Sequence, residues 1–199
     1  KKHAPKAAVL LISSAQVYGE VPAAGLPVAE QAPVSPGNFY AISKASCEWL
    51  AGSYAQTSGM RFRILRPFNH IGPGQSISFV CASLARQVAR IQAGLAEPVL
   101  HAGNLHCRRD FTDVRDIVRA YALALDKCED GQAYNICSGK AVAVQEILEK
   151  LCALAGVNVR VQTDPERKRK ADPKDFYGDS GKFRRATGWA PEIPLEQTL

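Results

Sequence analysis

The chain has 199 residues, 46% of them hydrophobic, with a formal net charge of +6; this is enough apolar content for one domain with a real core, and it excludes a chain disordered throughout. No apolar run approaches the ~20 residues of a membrane span, and the six cysteines, at 47, 81, 107, 128, 137 and 152, lack Cys-x-x-Cys spacing, which reads as reduced thiols in a cytoplasmic protein with no membrane partner. The positive charge is spread over Arg61, Arg63, Arg108, Arg109, Arg115, Arg184 and Arg185, and the one tight cluster, Arg167-Lys168-Arg169-Lys170, has no interleaved aromatic residue, so no nucleic acid partner is expected.

Strand and helix signals alternate along the chain, which predicts an α/β fold. Residues 9–12 form a short apolar run suited to a buried parallel strand. Asn38 is placed to cap a helix running to about Thr57 that Gly59 stops, and residues 62–65 read as the next strand. A helix is predicted over 79–93, closed by Gly94. Thr112 or Asp113 caps another, with Ile117, Val118, Tyr121 and Leu125 at helical spacing. Residues 133–137 read as a strand. Val144, Ile147, Leu148, Leu151 and Leu154 mark a further amphipathic helix ending near Gly156, with Ala143 where a capping Ser or Thr would be expected. Residues 157–161 are strand-like, residues 164–175 a loop rich in Lys, Arg, Pro and Asp, and residues 194–198 a helix start. No Gly-x-Gly-x-x-Gly turn opens a helix anywhere, so the first half of a dinucleotide fold, on the order of a hundred residues at ~30 or more per βαβ unit, is expected to lie outside this sequence.

The run Tyr40-Ala41-Ile42-Ser43-Lys44 behind Ser13-Ser14 carries chemistry. Residues four apart share a helix face. A phenol with a reference pKa of about 10 is a poor acid-base catalyst near neutrality, and a fixed positive charge beside it stabilises the phenolate. Taken alone, the pair reads equally as a half-buried Tyr and a solvated Lys. His101, His106 and Cys107 match no tetrahedral zinc spacing, and no metal is expected.

The surrounding motifs decide between those readings. Ser13-Ser14-Ala15-Gln16-Val17-Tyr18-Gly19, then Glu30 and Pro33 leading to Pro36-Gly37-Asn38-Phe39-Tyr40, then Arg66-Pro67-Phe68-Asn69 after a second strand, resemble the extended short-chain dehydrogenase/reductase superfamily of NAD-dependent epimerases and dehydratases. Within it, Phe68-Asn69-His70-Ile71-Gly72-Pro73-Gly74-Gln75-Ser76, Gly103-Asn104-Leu105 and Arg109-Asp110-Phe111-Thr112-Asp113-Val114-Arg115-Asp116 look most like the reductases of GDP-4-keto-6-deoxy-D-mannose. The resemblance implies the carboxyl-terminal part of a Rossmann-type parallel sheet with a small substrate-binding α/β lobe. Residues 1–70 are then the remainder of the dinucleotide-binding domain, and residues 71–199 mainly the sugar-nucleotide lobe, interleaved with late strands of the sheet.

By the same resemblance, Tyr40 is the proton donor, Lys44 holds the nicotinamide ribose and lowers the Tyr40 pKa, and Ser14 hydrogen-bonds the substrate oxygen. Ser13 is either a further substrate contact or a strand-end hydroxyl satisfying backbone. Pro67 and Phe68 line the nicotinamide with their backbone, Asn69 contacts the sugar-nucleotide diphosphate and His70 approaches the cofactor; by residue type alone Asn69 is a tight turn and His70 a partly buried ring. Val80 packs near the nucleotide. Arg109 holds the diphosphate with a planar fork of donors, or else pairs with Asp110 or Asp113. Arg169 and Asp172 fall where the family has an Arg and an acidic residue for diphosphate and ribose, although Lys170 and Pro173 depart from its pattern. Where related GDP-mannose dehydratases carry an Arg, this chain has Gln75, and where dehydratases carry a carboxylate two positions after the serine, it has Gln16.

The expected activity is NAD(P)H-dependent reduction of GDP-4-keto-6-deoxy-D-mannose at C4 to GDP-D-rhamnose, with NADP(H) favoured over NAD(H), by a homodimer when full length. Its rivals are a nucleotide-sugar 4-epimerase built on the same Ser, Tyr and Lys, and a non-catalytic remnant that only binds a sugar nucleotide.

Overall fold

The computed structural model describes residues 7–165 and 174–199; the basic cluster at 167–170, with Asp172 and Pro173, lies outside these residues. Strands β1 (Ala8–Ile12), β2 (Arg61–Pro67) and β7 (Ala133–Ile136) make a parallel sheet in the order β1-β2-β7. Val9 pairs with Phe62, Ile12 with Leu65, and Leu65 in turn with Tyr134. Near-continuous apolar runs suit strands covered on both faces, and parallel neighbours need a crossover. The first crossover is helix α1 (Phe39–Ser58). Asn38 caps it as expected, its Oδ1 accepting from Ala41 N at 2.9 Å, and Gly59 ends it in the left-handed conformation with its N–H on Ala55 O. Its buried stripe is Ala41, Ala45 and Glu48, two small residues that allow close approach and one carboxylate that needs a partner.

Segments between β2 and β7 and after β7 pair in three smaller sheets. Strand β3 (Asn69–Ile71) pairs in parallel with β6 (Phe111–Asp113), and β4 (Val99–Ala102) with β9 (Arg160–Thr163). The short strand β5 (Arg108–Arg109) lies between β10 (Asp175–Phe176) and β8 (Val142–Ala143). Helices α2 (Val80–Gln92) and α4 (Val144–Ala155) pack against β4 around Leu84, Val88, Leu100, Ile147 and Leu148. Ala143 offers no side-chain cap; instead its own N–H donates to Glu146 Oε1 at 3.1 Å, and Gly156 closes the helix. The strand expected over 157–161 begins three residues later. Val157 and Val159 pack on the α2–α4 core, while the residues that pair with β4 are all exposed.

Helix α3 (Val114–Lys127) leads into β7, capped by Asp113, which accepts from Arg115 N at 2.7 Å. The expected apolar stripe is corrected here. Ile117 is buried together with Asp116, Ala120 and Ala124, whereas Val118 and Leu125 face outward. Asp116 tolerates burial because Arg119 and the N–H groups of Glu192 and Ile193 donate to it. Helix α5 (Gly181–Thr187), unmarked in the hydrophobic pattern, brings Phe183 into edge contact with Tyr134 and Trp189, with centroids 6.0 and 5.6 Å apart. Helix α6 (Leu195–Thr198) follows Pro194, in the segment expected to start a helix.

A third apolar cluster gathers at the carboxyl end of the sheet: Ala15, Val17, Tyr18, Val28, Ala45, Phe68, Cys137 and Phe176. It joins the turn after β1, α1, the ends of β2 and β7, and β10. Two glycines are obligatory around it. A Cβ on Gly19, whose φ is +66°, would stand 2.0 Å from Ser35 O, and one on Gly178 would stand 2.5 Å from the Phe68 ring and 2.9 Å from Cys137 Sγ.

Candidate active site

Several residues singled out in the sequence lie at the carboxyl ends of β1 and β2, beside this third cluster, where ligands bind in open α/β sheets. Ser13 and Ser14 leave the carboxyl end of β1. Ser13 continues the ladder through its N–H to Leu65 O at 2.8 Å, yet its hydroxyl is buried with no hydrogen-bond partner among the described residues, so it satisfies no described backbone group. Ser14 opens the 3₁₀ turn Ala15–Tyr18, and its Oγ accepts from Gln16 N at 3.2 Å.

Tyr40 stands in the first turn of α1, half exposed, with Lys44 one turn on. The Lys44 ammonium lies 5.7 Å from the Tyr40 ring centroid and donates to Ile12 O at 2.9 Å. The i, i+4 spacing thus does what helix geometry allows, and the lysine also touches the strand end from which both serines follow. Tyr121, read in the sequence only as a packing residue of α3, is a neighbour of Tyr40; burial pushes its phenol up to about 12, and the nearby Tyr40 adds to the effect. No spacing in the sequence marks that proximity.

At the end of β2, Pro67 pairs with Ile136 and the N–H of Phe68 donates to Ile136 O at 2.9 Å. The Phe68 ring turns into the core and stacks on Phe176 at 5.2 Å and 26°, which leaves only its backbone to face a ligand. Asn69 is exposed, and His70 Nδ1 lies 3.1 Å from Phe68 O, its own carbonyl accepting from Gln75 Nε2. The β3–β6 pairing sets Asn69 beside Phe111 and His70 beside Thr112, which brings the Arg109–Asp110 segment to the same edge. Val80 opens α2, partly exposed.

Arg109 lies in β5, and Asp113 holds the entrance to α3. The Arg109 Nη1 donates to the carbonyls of Arg108 and Lys174. The two carboxylates considered as its partners are engaged elsewhere. Asp113 takes Arg115 in a two-pronged contact that holds its carboxyl at about 2. Asp110 accepts from Ser138 N and Oγ, Gly139 N and Gly178 N; burial pushes its pKa up, and those four donors pull against it. Arg169 and Asp172 lie outside the described residues.

Sequence reasoning missed a buried polar network directly beneath. Arg66 in β2 grips Glu48 of α1 through Nε–Oε1 at 3.0 Å and Nη2–Oε2 at 2.6 Å, and its Nη1 donates to the Tyr18 hydroxyl at 3.0 Å. That hydroxyl donates to Asn135 Oδ1 at 2.7 Å, and Glu30 accepts from Asn135 N. Charged residues in a sequence carry no mark of burial. Here the one available signal was Glu48 falling in register with Ala41 and Ala45.

Comparison with known proteins identifies relatives of this chain. Residues 1–199 match the family described as GDP-mannose 4,6 dehydratase. The chain is 43% identical to a GDP-6-deoxy-D-mannose reductase of Pseudomonas aeruginosa over 96% of its own length and 62% of that protein's. It superimposes on the structure of RMD from Pseudomonas aeruginosa complexed with NADPH with a TM-score of 0.92 and 42% identity, covering 96% of this chain and 63% of that one. A UDP-glucose 4-epimerase of Thermotoga maritima, solved with UDP-glucose, is 27% identical with a TM-score of 0.85, over 99% of this chain and 63% of that one. The chain therefore spans less than two thirds of the length of each of these relatives. Its α/β architecture is that of the Rossmann-type sheet they share, and the chain belongs to the GDP-mannose 4,6-dehydratase family.

Proposed function

We propose that the full-length protein containing this chain is an NAD(P)H-dependent reductase that converts GDP-4-keto-6-deoxy-D-mannose to GDP-D-rhamnose. One observation carries the reading: Lys44 lies over Tyr40 at 5.7 Å while bonding Ile12 O, one residue before Ser13-Ser14, so the ammonium links the tyrosine to the strand end from which the serines follow. The 43% identity to a GDP-6-deoxy-D-mannose reductase supports the substrate, and the NADPH complex of the similar structure supports NADP(H) over NAD(H).

The residues present fit a nicotinamide ribose. Tyr40 is half exposed, and one of the three Lys44 donors is used on Ile12 O. When bound, the cofactor supplies a hydride to C4. Tyr40 gives its phenolic proton to O4, Ser14 hydrogen-bonds that oxygen as charge develops, and the Lys44 charge offsets that left on the phenolate. Pro67 and Phe68 border the nicotinamide with backbone, and His70 stands next to them. Asn69, Val80 and Arg109 hold the sugar nucleotide, with Ser13, Arg169 and Asp172 completing that set. In this reading residues 1–70 serve the cofactor and residues 71–199 mainly the substrate.

We extend the proposal to a cytoplasmic homodimer. Six free thiols support the compartment, and no helix of the described residues is long and apolar enough to cross a membrane. Ile42, Trp49, Leu50 and Tyr54 form an exposed apolar stripe along the 20-residue α1, a face that a second copy would cover symmetrically.

The test is to offer the full-length protein NADPH and GDP-4-keto-6-deoxy-D-mannose. Stoichiometric NADPH oxidation with GDP-D-rhamnose as product is the expected result. A C4-inverted sugar nucleotide formed without net NADPH consumption would establish the 4-epimerase instead, and binding without turnover the non-catalytic reading.

A further inference from the structure

The Ser14 hydroxyl and the Tyr40–Lys44 pair belong to two separate pieces of structure, a four-residue turn and the first two turns of a helix. Nothing in either piece alone fixes the distance between them. Lys44 ties the helix to the strand end through Ile12 O, and two further side-chain bridges join the pieces. On the outside, Asn38 Nδ2 donates to Gln16 Oε1 at 3.2 Å while Asn38 Oδ1 caps α1 at Ala41 N, and Gln16 N in turn donates to Ser14 Oγ. On the inside, Tyr18 closes the turn that Ser14 opens, and Glu48 follows Lys44 by one turn of α1. Arg66, on the central strand, holds both, with its guanidinium 5.0 Å from the Tyr18 ring centroid.

We propose that Gln16, Tyr18, Arg66 and Glu48 are positioning residues that brace the serine turn against the tyrosine helix and so set the geometry of proton transfer. The inference rests on the reading of Ser14, Tyr40 and Lys44 given above. Burying an ion pair is costly, and apolar residues of the same volume commonly hold a core at least as well. A planar fork reaching two elements from one strand, by contrast, fixes orientation as well as separation. Gln16 enters the same argument through its amide oxygen, which accepts from Asn38.

The experiment measures kcat and KM in the full-length enzyme for Tyr18→Phe and Gln16→Leu, each in the wild-type and in the Ser14→Ala background. Displacements of about 1 Å cost up to ~100-fold in rate, so each variant should lower kcat about tenfold or more with both KM values little changed. If the residues act by placing Ser14, that loss should shrink to about twofold or less once Ser14 is alanine, since coupled sites are not additive. Gln16→Glu, which still accepts from Asn38, should restore kcat. Gln16→Leu lies near the surface and keeps the test available if Tyr18→Phe fails to fold. The same fold loss in both backgrounds, or an unchanged kcat in both variants, overturns the brace. Ser14→Ala at wild-type turnover would instead sink the reading of the site, and the brace with it.

Discussion

Replacing Glu48 by alanine is expected to cost the protein a large share of its stability through the charge left behind. Both partners of the Arg66–Glu48 pair are buried, with side chains 7% and 5% exposed. Burial works against the Arg66 charge, but the Glu48 hydrogen bonds and the Tyr18 hydroxyl hold its pKa above the usual value. In Glu48→Ala the guanidinium, a group that proteins do not deprotonate, stays charged and loses its contacts at 3.0 and 2.6 Å. Tyr18 remains, and Glu30 O stands at 3.5 Å. Removing one member of a buried pair typically costs about 3–5 kcal/mol, a large part of the ~5–15 kcal/mol that holds a domain together. In equilibrium urea unfolding of the full-length protein, with a slope near 2 kcal/mol per M, the midpoint should fall by about 2 M. The double variant Glu48→Met/Arg66→Met removes both charges and should recover most of the loss. A drop of less than ~1 kcal/mol in Glu48→Ala at unchanged slope would refute the reasoning, because it would mean that water reaches the guanidinium.

Other expectations concern the chemistry and its surroundings. Tyr40→Phe should lower turnover ~10²–10⁴-fold with cofactor affinity nearly unchanged, and a variant keeping more than about half of wild-type turnover would dismiss Tyr40 as the general acid. Arg109→Lys should weaken the sugar nucleotide far more than the cofactor, as a planar fork becomes a point charge; titration of both ligands decides. The Asp113 carboxyl, held at about 2 by Arg115, lies below its unfolded value of about 3.9, so its contribution is full above pH ~4 and is lost as pH falls toward about 2. Asp113→Asn, still a competent helix cap, should flatten that acid limb in stability measured against pH; an unchanged slope contradicts the assignment. GDP-mannose should not be dehydrated, since Gln16 accepts no proton near neutrality; appearance of the 4-keto-6-deoxy product on chromatography would overturn that.

The legible parts of the fold were those where backbone needs dictate a residue. Asn38 and Gly59 bound α1, Gly156 ends α4, and Asp113 caps α3, each by local hydrogen bonding or positive φ that reads directly from the residue type. Hydrophobic spacing misled where small residues do the packing. Ala120 and Ala124 form the buried face of α3, while the larger Val118 and Leu125 lie outside. Ahead of β9, Val157 and Val159 alternate like a strand and pack on the core, while the residues that pair in β9 are exposed. At the site, the motif residues Ser14, Tyr40 and Lys44 announced themselves by type and order. Tyr121, Asp110 and the Arg66 network did not, because their positions depend on contacts between segments far apart in the chain.

The absence of a side chain at Gly178 has an evolutionary consequence. Phe68 fills the space a Cβ there would need, and Phe68 sits between Pro67 and Asn69 in the segment that borders the proposed nicotinamide and diphosphate sites. Residues 68 and 178 therefore share one volume: a chain that gains even a methyl at 178 must shrink or swing the ring at 68, and the strand end moves with it. Homologues are then expected to change the two positions together or not at all. A designer wishing to reshape the pocket gains a handle 110 residues away from Phe68 along the chain, one that shifts the ligand-bordering backbone without altering any residue proposed to touch a ligand.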